Sequence, residues 1–239
     1  MVRRKSFVHQ QKLMVAGFLV TILALIAYLT LETVTDEGAQ GDFIAGIHYV
    51  ELDKPRRIRG DAIEVMEFFS YGCIFCYRFD DDLEDWATDK GGQVQLIRTP
   101  LIGSDQWRLL GAHFYAIQDL NGPVELHQGT FRAIHDLGKK LNDPEDLADF
   151  VESNSDIEKA RYLIQIESAA VKSKVTLADR LSRQARITST PQLVIQGRYR
   201  ISVTQDVGSS RMLEIADHLI EKIEAERLAS QTASAAPQS

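Results

Sequence analysis

Residues 63–76 read IEVMEFFSYGCIFC, and this stretch decides the fold of the 239-residue chain. Its first half, Ile63–Phe69, is a compact apolar run of the kind that forms a buried strand. After Cys73 the apolar residues recur at helical spacing, so the sequence predicts a helix that begins at the cysteines. A second short strand is predicted at residues 94–97, and a strand–helix–strand unit indicates an α/β layer.

Strands are predicted near both ends of this region, with helices between them. Residues 47–52 are predicted to form a strand, and residues 192–196 and 199–203 to form a hairpin that turns at Gly197. Residues from 104 to about 186 show helical periodicity, and the last and longest of the helices there is predicted at roughly 165–186. The predicted fold class is therefore α/β, with one sheet, an inserted block of helices and one preceding transmembrane helix.

The chain divides into segments of different composition. In order, they are a cytoplasmic basic segment (1–12), a transmembrane anchor or signal sequence (13–31), a linker (32–42), the first part of the α/β domain with the cysteines (43–103), an inserted helical domain (104–170), the second part of the α/β domain (171–228) and a disordered tail (229–239). The economical interpretation is one α/β domain with an insertion.

Residues 13–31 contain no charged side chain and would form a helix about 28 Å long, close to the thickness of a bilayer's hydrocarbon core. Basic residues precede this stretch and Glu32 follows it, so residues 1–12 are predicted to be cytoplasmic. A cleaved signal sequence is the alternative, but its apolar core is normally shorter and ends at a small-x-small site. An uncleaved anchor is favoured, and both interpretations export the remaining chain.

The composition argues against one broad class of protein. Hydrophobic residues make up 44% of the chain, enough for a packed core, and the formal net charge is -7. Proteins that bind nucleic acid usually present a broad basic surface. No nucleic-acid partner is therefore expected.

The two cysteines, Cys73 and Cys76, lie where the predicted strand gives way to a helix. Free backbone N–H groups and the helix dipole favour negative charge there, so a thiolate is stabilised. Cys73 is the expected nucleophile, and Cys76 is expected to resolve a mixed disulfide. The pair is itself the redox-active group, so no separate cofactor is expected.

Three other interpretations of the cysteine pair are weaker. A zinc site needs about four ligands, and no second cysteine pair or suitably spaced histidine accompanies this one, so no metal is expected. A purely structural disulfide would close a very small loop and constrain little of the unfolded chain. Two inert buried thiols would need an apolar setting, whereas Ser70 and Arg78 lie nearby in sequence.

Two further features have both a structural and a functional interpretation. Pro191, after Thr190, is either a plain strand boundary or a cis proline that faces the cysteines and bares backbone groups for a substrate strand. Glu67 interrupts an apolar strand before Cys73. It is either an outward-facing residue or a buried carboxylate with a raised pKa that takes the proton from Cys76.

These motifs follow one another in a specific order. EFFS at residues 67–70 is followed by the CxxC helix, a helical insertion, and Thr190-Pro191 before a hairpin. CxxC alone is common, but its combination with EFFS and TP-x-x-x-x-x-G-x-Y is specific. Over about residues 43–228, this order resembles the DsbA family of thiol:disulfide oxidoreductases.

The resemblance implies a thioredoxin fold with an inserted helical domain. It implies that Cys73 is the attacking thiolate, Cys76 its partner and Glu67 the buried acid. The expected substrate-contacting residues are Thr190, Pro191 in the cis form, Ile74 and Phe75.

The resemblance also implies partners and a location. Unfolded or partly folded exported proteins would be the substrates, and a DsbB-like quinone-linked membrane protein would reoxidise the cysteines. The domain would be periplasmic and monomeric, tethered to the inner membrane by the N-terminal helix, or soluble if that segment is cleaved.

The sequence departs from the best-known family members, which have Pro-His between the cysteines, whereas this chain has Ile74-Phe75. An apolar pair offers the thiolate neither positive charge nor a side-chain hydrogen bond. The protein is therefore predicted to be a weaker oxidant than a typical DsbA, since a strong oxidant has a stabilised reduced form. The membrane anchor is a second departure from the family pattern.

Two other functions stay open at this point. One is a disulfide reductase or isomerase of the same fold, although isomerases usually add a dimerisation domain and residues 32–60 are short for one. The other is a tethered peptide-binding chaperone with incidental cysteines. Peptide binding that survives Cys73→Ser and Cys76→Ser, without redox activity in the parent, would favour the chaperone.

Overall fold

The computed structural model describes residues 43–204 and 207–235, together with Ile22. The predicted cytoplasmic segment, transmembrane anchor and linker, residues 1–42, therefore lie outside the described residues apart from Ile22. Among the helices that the described residues form, none combines the length and the apolar character needed to cross a bilayer.

A five-stranded mixed sheet organises residues 43–204. Its strands are β1 (Val50–Glu51), β2 (Ile63–Phe69), β3 (Val94–Pro100), β4 (Gln192–Ile195) and β5 (Tyr199–Ser202). The order across the sheet is β1-β5-β4-β2-β3. β2 and β3 are parallel, and every other neighbouring pair is antiparallel. The predicted hairpin is confirmed as β4–β5.

The strand predicted at residues 47–52 is shorter than expected, since only Val50–Glu51 pairs with β5. The N–H groups of Ile47 and His48 both donate to the carbonyl of Ile44, at 3.2 and 3.0 Å. These groups are satisfied inside a turn and are not available to a neighbouring strand. The first residues of the predicted strand therefore belong to a turn, and only the last ones belong to β1.

β2 is the central element of the sheet and leads directly to the cysteines. It lies between β3 and β4, and all of its residues are buried. Burial on both faces accounts for the nearly continuous apolar run in its sequence. Its register places Glu67 opposite Arg98 of β3 and Leu193 of β4.

The described residues from 43 to 235 form seven α-helices and one short 3₁₀-helix, Gly91–Gln93. The α-helices are α1 (Ile74–Asp89), α2 (Asp105–Asp119), α3 (Glu125–His135), α4 (Pro144–Asn154), α5 (Lys159–Ile166), α6 (Ala169–Gln184) and α7 (Ser209–Ala235). The helix predicted to start near residue 165 starts at Ala169 instead. The reason is a cap: the Ser168 side chain accepts a hydrogen bond from the Val171 N–H at 3.2 Å, which fixes the first turn of α6.

The described residues form two main apolar cores. One is formed by α2–α6 and includes Phe69 and Tyr71 from the end of β2 and the following loop. The other lies between the sheet and α7. α6 contributes Val171 and Val175 to the helical core, while its later residue Leu181 packs with Phe68 of the sheet. The predicted boundary after residue 170 therefore falls within a helix that serves both halves.

The C-terminal helix is longer than the composition suggested. α7 continues to Ala235, so residues 229–235 are helical and the prediction of a disordered tail there is wrong. Residues 236–239 lie outside the described residues. Alanine is the strongest helix former, and this propensity accounts for helix beyond Leu228, whose side chain is exposed.

Candidate active site

Cys73 is the N-cap residue of α1. Its Sγ accepts a hydrogen bond from the Cys76 N–H at 3.2 Å, and its own N–H donates to the Ser70 carbonyl at 2.9 Å. First-turn N–H groups have no acceptor within a helix, so a sulfur at this point is stabilised as the thiolate. Hydrogen bonding from Cys76 is the main cause that lowers the pKa of Cys73 to about 6.

Cys76 lies one turn further into α1 and is fully buried. Burial is the main cause that raises the pKa of this thiol, and the negative charge that develops on Cys73 raises it further. Cys73, in contrast, is partly exposed. This excludes two inert buried thiols and leaves one accessible nucleophile with one shielded partner.

The Thr190–Pro191 peptide bond is cis, and it lies beside Cys73. The Cys73 thiol is 3.3 Å from the Thr190 carbonyl oxygen, to which it donates. Pro191 is buried and directly precedes β4, so it is a strand boundary and a cis proline at once. The structure thus joins two segments that the sequence separates by 117 positions.

Ile74 and Phe75 present apolar surface next to the Cys73 sulfur. Their exposed fractions are 37% and 61%. Large apolar side chains with this exposure at a reactive cysteine are suited to contact another polypeptide. They lie in the first turn of α1 and offer no charge to the thiolate.

Glu67 is buried with 1% of its surface exposed, which rules out the outward-facing interpretation. Its Oε2 lies 3.5 Å from Arg98 Nε, close enough for charge attraction, but neither atom has a hydrogen-bond partner among the described residues. Burial raises the pKa of Glu67 to about 8, with attraction by Arg98 acting in the opposite direction. The carboxyl is therefore protonated over much of the neutral range.

A charged cluster around Arg98 was not found by sequence reasoning. Arg98 contacts Asp80 at 3.0 Å and Glu84 at 2.7 Å, in addition to Glu67. His127 Nε2 donates to Asp80 at 3.1 Å. Asp80 and Glu84 thus lie closer to the Arg98 nitrogens than Glu67 does. Of the three carboxyl groups, an ionised Glu67 would receive the least stabilisation from the Arg98 charge.

Sequence signals for this cluster are weak. Arg98 is the one charged residue of β3, and Asp80 lies one helical turn after Cys76, on the same face of α1. His127 carries no signal of its own. Among the residues that the structure describes, no group of three or more histidine, cysteine or acidic side chains is arranged to hold a metal ion.

The ionisation of Cys73 can be measured directly. We expect the ultraviolet absorbance of the reduced protein to show one thiolate step with a midpoint at about 6, because burial keeps Cys76 protonated. The step should vanish in Cys73→Ser and persist in Cys76→Ser. A midpoint near 3.5, the low end for CxxC motifs, would contradict the weaker oxidant that Ile74-Phe75 predicts.

Comparison with known proteins agrees with this geometry. No protein-family model matches the chain. The thiol:disulfide interchange protein DsbA of Pseudomonas aeruginosa is 33% identical over 202 residues, which cover 84% of this chain and 95% of the relative. The DsbA of Azotobacter vinelandii is 32% identical over 202 residues, covering 84% and 94%.

Solved structures give the same result. The crystal structure of Pseudomonas aeruginosa DsbA matches with a TM-score of 0.73 and 33% identity, covering 80% of this chain and 97% of that one. Oxidoreductase DsbA from Xylella fastidiosa matches with a TM-score of 0.71 and 25% identity, covering 77% and 98%. The fold is therefore the mixed α/β, thioredoxin-like fold of DsbA. The chain belongs to the DsbA family and is a thiol:disulfide oxidoreductase that works through a CxxC pair of cysteines.

Proposed function

We propose that this oxidoreductase donates its Cys73–Cys76 disulfide to other proteins. A client thiolate attacks Cys73 Sγ and forms a mixed disulfide. The Cys73–Cys76 bond breaks, and Cys76 leaves as a thiolate that must be protonated. A second client thiolate then attacks the client sulfur of the mixed disulfide, which forms the client disulfide and releases Cys73 as a thiolate. Two electrons pass from the client to the cysteine pair.

The difference between the two thiols carries this proposal. Cys73 is partly exposed and its pKa is lowered, whereas Cys76 is buried and its pKa is raised. Attack therefore occurs at Cys73, whose thiolate is also the better leaving group. A reduced form with a stabilised thiolate favours giving the disulfide away.

Glu67 is proposed as the acid that serves Cys76. With its pKa raised to about 8 by burial, it holds a proton near neutral pH and can supply it when Cys76 leaves. It recovers a proton when Cys76 attacks a mixed disulfide during reoxidation. The negative charge on Cys73 also raises the pKa of Glu67, which links the proton to the state of the cysteines.

Thr190, Pro191, Ile74 and Phe75 are proposed as the substrate-contacting surface. The Thr190 carbonyl lies 3.3 Å from the reactive sulfur, so an extended client segment at this place would meet backbone acceptors beside the attacked disulfide. The exposed rings and methyl groups of Phe75 and Ile74 supply apolar contact without sequence specificity. Such a surface suits unfolded or partly folded polypeptides.

The setting of this reaction is proposed from the family and the N-terminal sequence. The clients are exported proteins, and a DsbB-like quinone-linked membrane protein takes the two electrons from the reduced cysteines. Residues 13–31 tether a periplasmic, monomeric domain to the inner membrane, with residues 1–12 in the cytoplasm. If residues 1–31 are cleaved, the domain is soluble in the periplasm.

The direction of electron flow can be tested by equilibrating the full-length protein with glutathione buffers of defined ratio. We expect a reduction potential well above that of thioredoxin, because a Cys73 pKa of about 6 stabilises the reduced form. We also expect a potential below that of a typical DsbA, because Ile74-Phe75 adds no charge.

A potential near that of thioredoxin would overturn the donor assignment. The dithiol would then be the active form, and a reductase or isomerase supplied with electrons across the membrane would replace the oxidase. Retention of peptide binding without any exchange activity would indicate the chaperone instead. Cys73→Ser with Cys76→Ser is the control, because it removes exchange and leaves the surrounding surface in place.

A further inference from the structure

Tyr71 is held at both of its polar ends by histidines of one helix. Its hydroxyl is 2.7 Å from His127 Nδ1, and its main-chain carbonyl accepts a hydrogen bond from His135 Nε2 at 2.8 Å. Both histidines belong to α3 in the helical insertion. We call Tyr71, His127 and His135 together the Tyr71 clamp.

The hydrogen bonds of the clamp have a defined direction. His127 Nε2 donates to the carboxylate of Asp80 at 3.1 Å, so Nδ1 is free to accept the hydroxyl proton of Tyr71. Burial raises the pKa of Tyr71 and lowers the pKa of His127, which keeps both groups neutral. A carbonyl only accepts, so the bond from His135 also runs in one direction.

His135 is itself fixed against the first turns of α1. Its ring stacks on the Tyr77 ring at 5.4 Å with an interplanar angle of 7°. The Tyr77 hydroxyl donates to Asp136 at 2.6 Å, and the Tyr77 N–H donates to the Cys73 carbonyl at 3.1 Å. The C-terminal end of α3 therefore contacts the cysteine helix and the loop before it together.

The position of Tyr71 determines where Cys73 lies. Only Gly72 separates the two, and the turn is closed by the Cys73 N–H donating to the Ser70 carbonyl at 2.9 Å. The hydrogen bond from the Cys76 N–H to the Cys73 sulfur, at 3.2 Å, exists only while Cys73 stays at the cap of α1. A hydrogen bond from the Cys76 side chain contributes most to lowering the pKa of Cys73, and the backbone N–H groups of Phe75 and Cys76 add to it. All of these bonds depend on Cys73 staying at the cap of α1.

We propose that the Tyr71 clamp is a positioning device, through which the helical insertion holds Cys73 at the cap of α1 and so sets how strongly the reduced protein stabilises its thiolate. His127 and His135 act through Tyr71 and are positioning residues rather than catalytic ones. The proposal rests on Cys73 being the attacking thiolate of the proposed function.

Two substitutions and a matched control test the clamp. Tyr71→Phe removes only the hydroxyl that donates a hydrogen bond to His127. His135→Phe keeps a ring that can stack on Tyr77 but removes the N–H that donates to the Tyr71 carbonyl. Tyr162→Phe is the control, since the Tyr162 hydroxyl pairs with buried His113 Nδ1 at 2.8 Å in the same insertion. The His113 ring lies 5.7 Å from the Tyr71 ring, so the control probes the same cluster without touching the clamp's hydrogen bonds.

The readouts are the midpoint of the Cys73 thiolate titration and the equilibrium with glutathione. Tyr71→Phe and His135→Phe should each raise the midpoint by about half a unit to one unit. Both should shift the glutathione equilibrium several-fold towards the disulfide, because the reduced form is less stabilised. Tyr162→Phe should lose a similar amount of stability, yet match the parent in both readouts.

Several results would overturn the proposal. Parent-like midpoints in both Tyr71→Phe and His135→Phe would show that the clamp does not position Cys73. An equal shift in Tyr162→Phe would show general loosening of the insertion. If His135→Phe does not fold, Tyr71→Phe alone decides. A parent protein whose Cys73 titrates as an ordinary thiol would refute the proposed function and this inference together. If the parent exchanges disulfides but the variants show no shift in the Cys73 midpoint, only the inference is refuted.

Discussion

Cys73→Ser should reduce disulfide exchange to the uncatalysed background. A serine hydroxyl at this position forms neither the disulfide with Cys76 nor a mixed disulfide with a client, so both steps of the proposed reaction are lost. The rate of exchange is measured by mixing the protein with a reduced model client and following the activity that the client regains as its disulfides form. Stability should change little, because Cys73 is partly exposed and the hydroxyl still caps α1.

Cys76→Ser is the matched variant, and it should behave differently. The Cys73 thiolate can still attack the disulfide of an oxidised client, which gives a mixed disulfide and a free client thiolate. No Cys76 thiol remains to release the client in its reduced form, so the mixed species should accumulate. Non-reducing electrophoresis distinguishes the two variants. Mixed disulfides that form in Cys73→Ser but not in Cys76→Ser would reverse the assignment of the attacking cysteine.

Glu67→Gln should stabilise the protein by about 2–3 kcal/mol near neutral pH. The pKa of Glu67 is raised from 4.5 to about 8 by burial, so the folded protein holds this proton where the unfolded chain has lost it. The contribution of Glu67 to the free energy of unfolding is therefore fully present below about pH 4.5, and it is lost as the pH rises to about 8. Glutamine imitates the neutral form and avoids that loss.

The measurement is denaturant unfolding of parent and variant under reducing conditions across this pH range. The difference between them should be small near pH 5 and should grow towards pH 8. Both proteins are also compared in a Cys73→Ser background, because the charge on Cys73 is coupled to Glu67 and its lowered pKa adds stability as the pH rises. Glu64→Gln on the same strand is the comparison variant. Burial raises the pKa of Glu64 as well, but the attraction of Arg56 opposes the shift, and the replacement removes that ion pair. A pH-independent difference for Glu67→Gln would contradict a buried, protonated carboxyl.

The fold was largely predictable because its central elements are specified locally. The apolar run of Ile63–Phe69 and the change of period at Cys73 each depend on neighbouring residues alone. The errors occurred where local hydrogen bonds, which the apolar pattern does not show, determined where an element begins. A turn satisfied the N–H groups of Ile47 and His48, and a serine cap at Ser168 moved the start of a helix.

The candidate site was predictable only in the residues that carry a motif. Cys73, Cys76, Glu67 and Pro191 each interrupt a pattern, and the structure places them around one sulfur or in the adjoining strand. The Tyr71 clamp depends on side chains that meet only after the insertion docks, and the Arg98 cluster depends on side chains that meet only when β2, β3 and α1 pack together. Tyr71 and His127 are 56 positions apart, and neither breaks the pattern of its own segment.

The contact between Cys73 and Thr190, 117 positions later, has a consequence for the newly made chain. When the cysteines leave the ribosome, β4 does not yet exist, although it is the neighbour that completes the sheet around β2. Long-range pairing of this kind forms late. The emerging chain therefore contains the residues that form the cap of α1 early, but it gains the contact between Cys73 and Thr190 only when its last hairpin arrives.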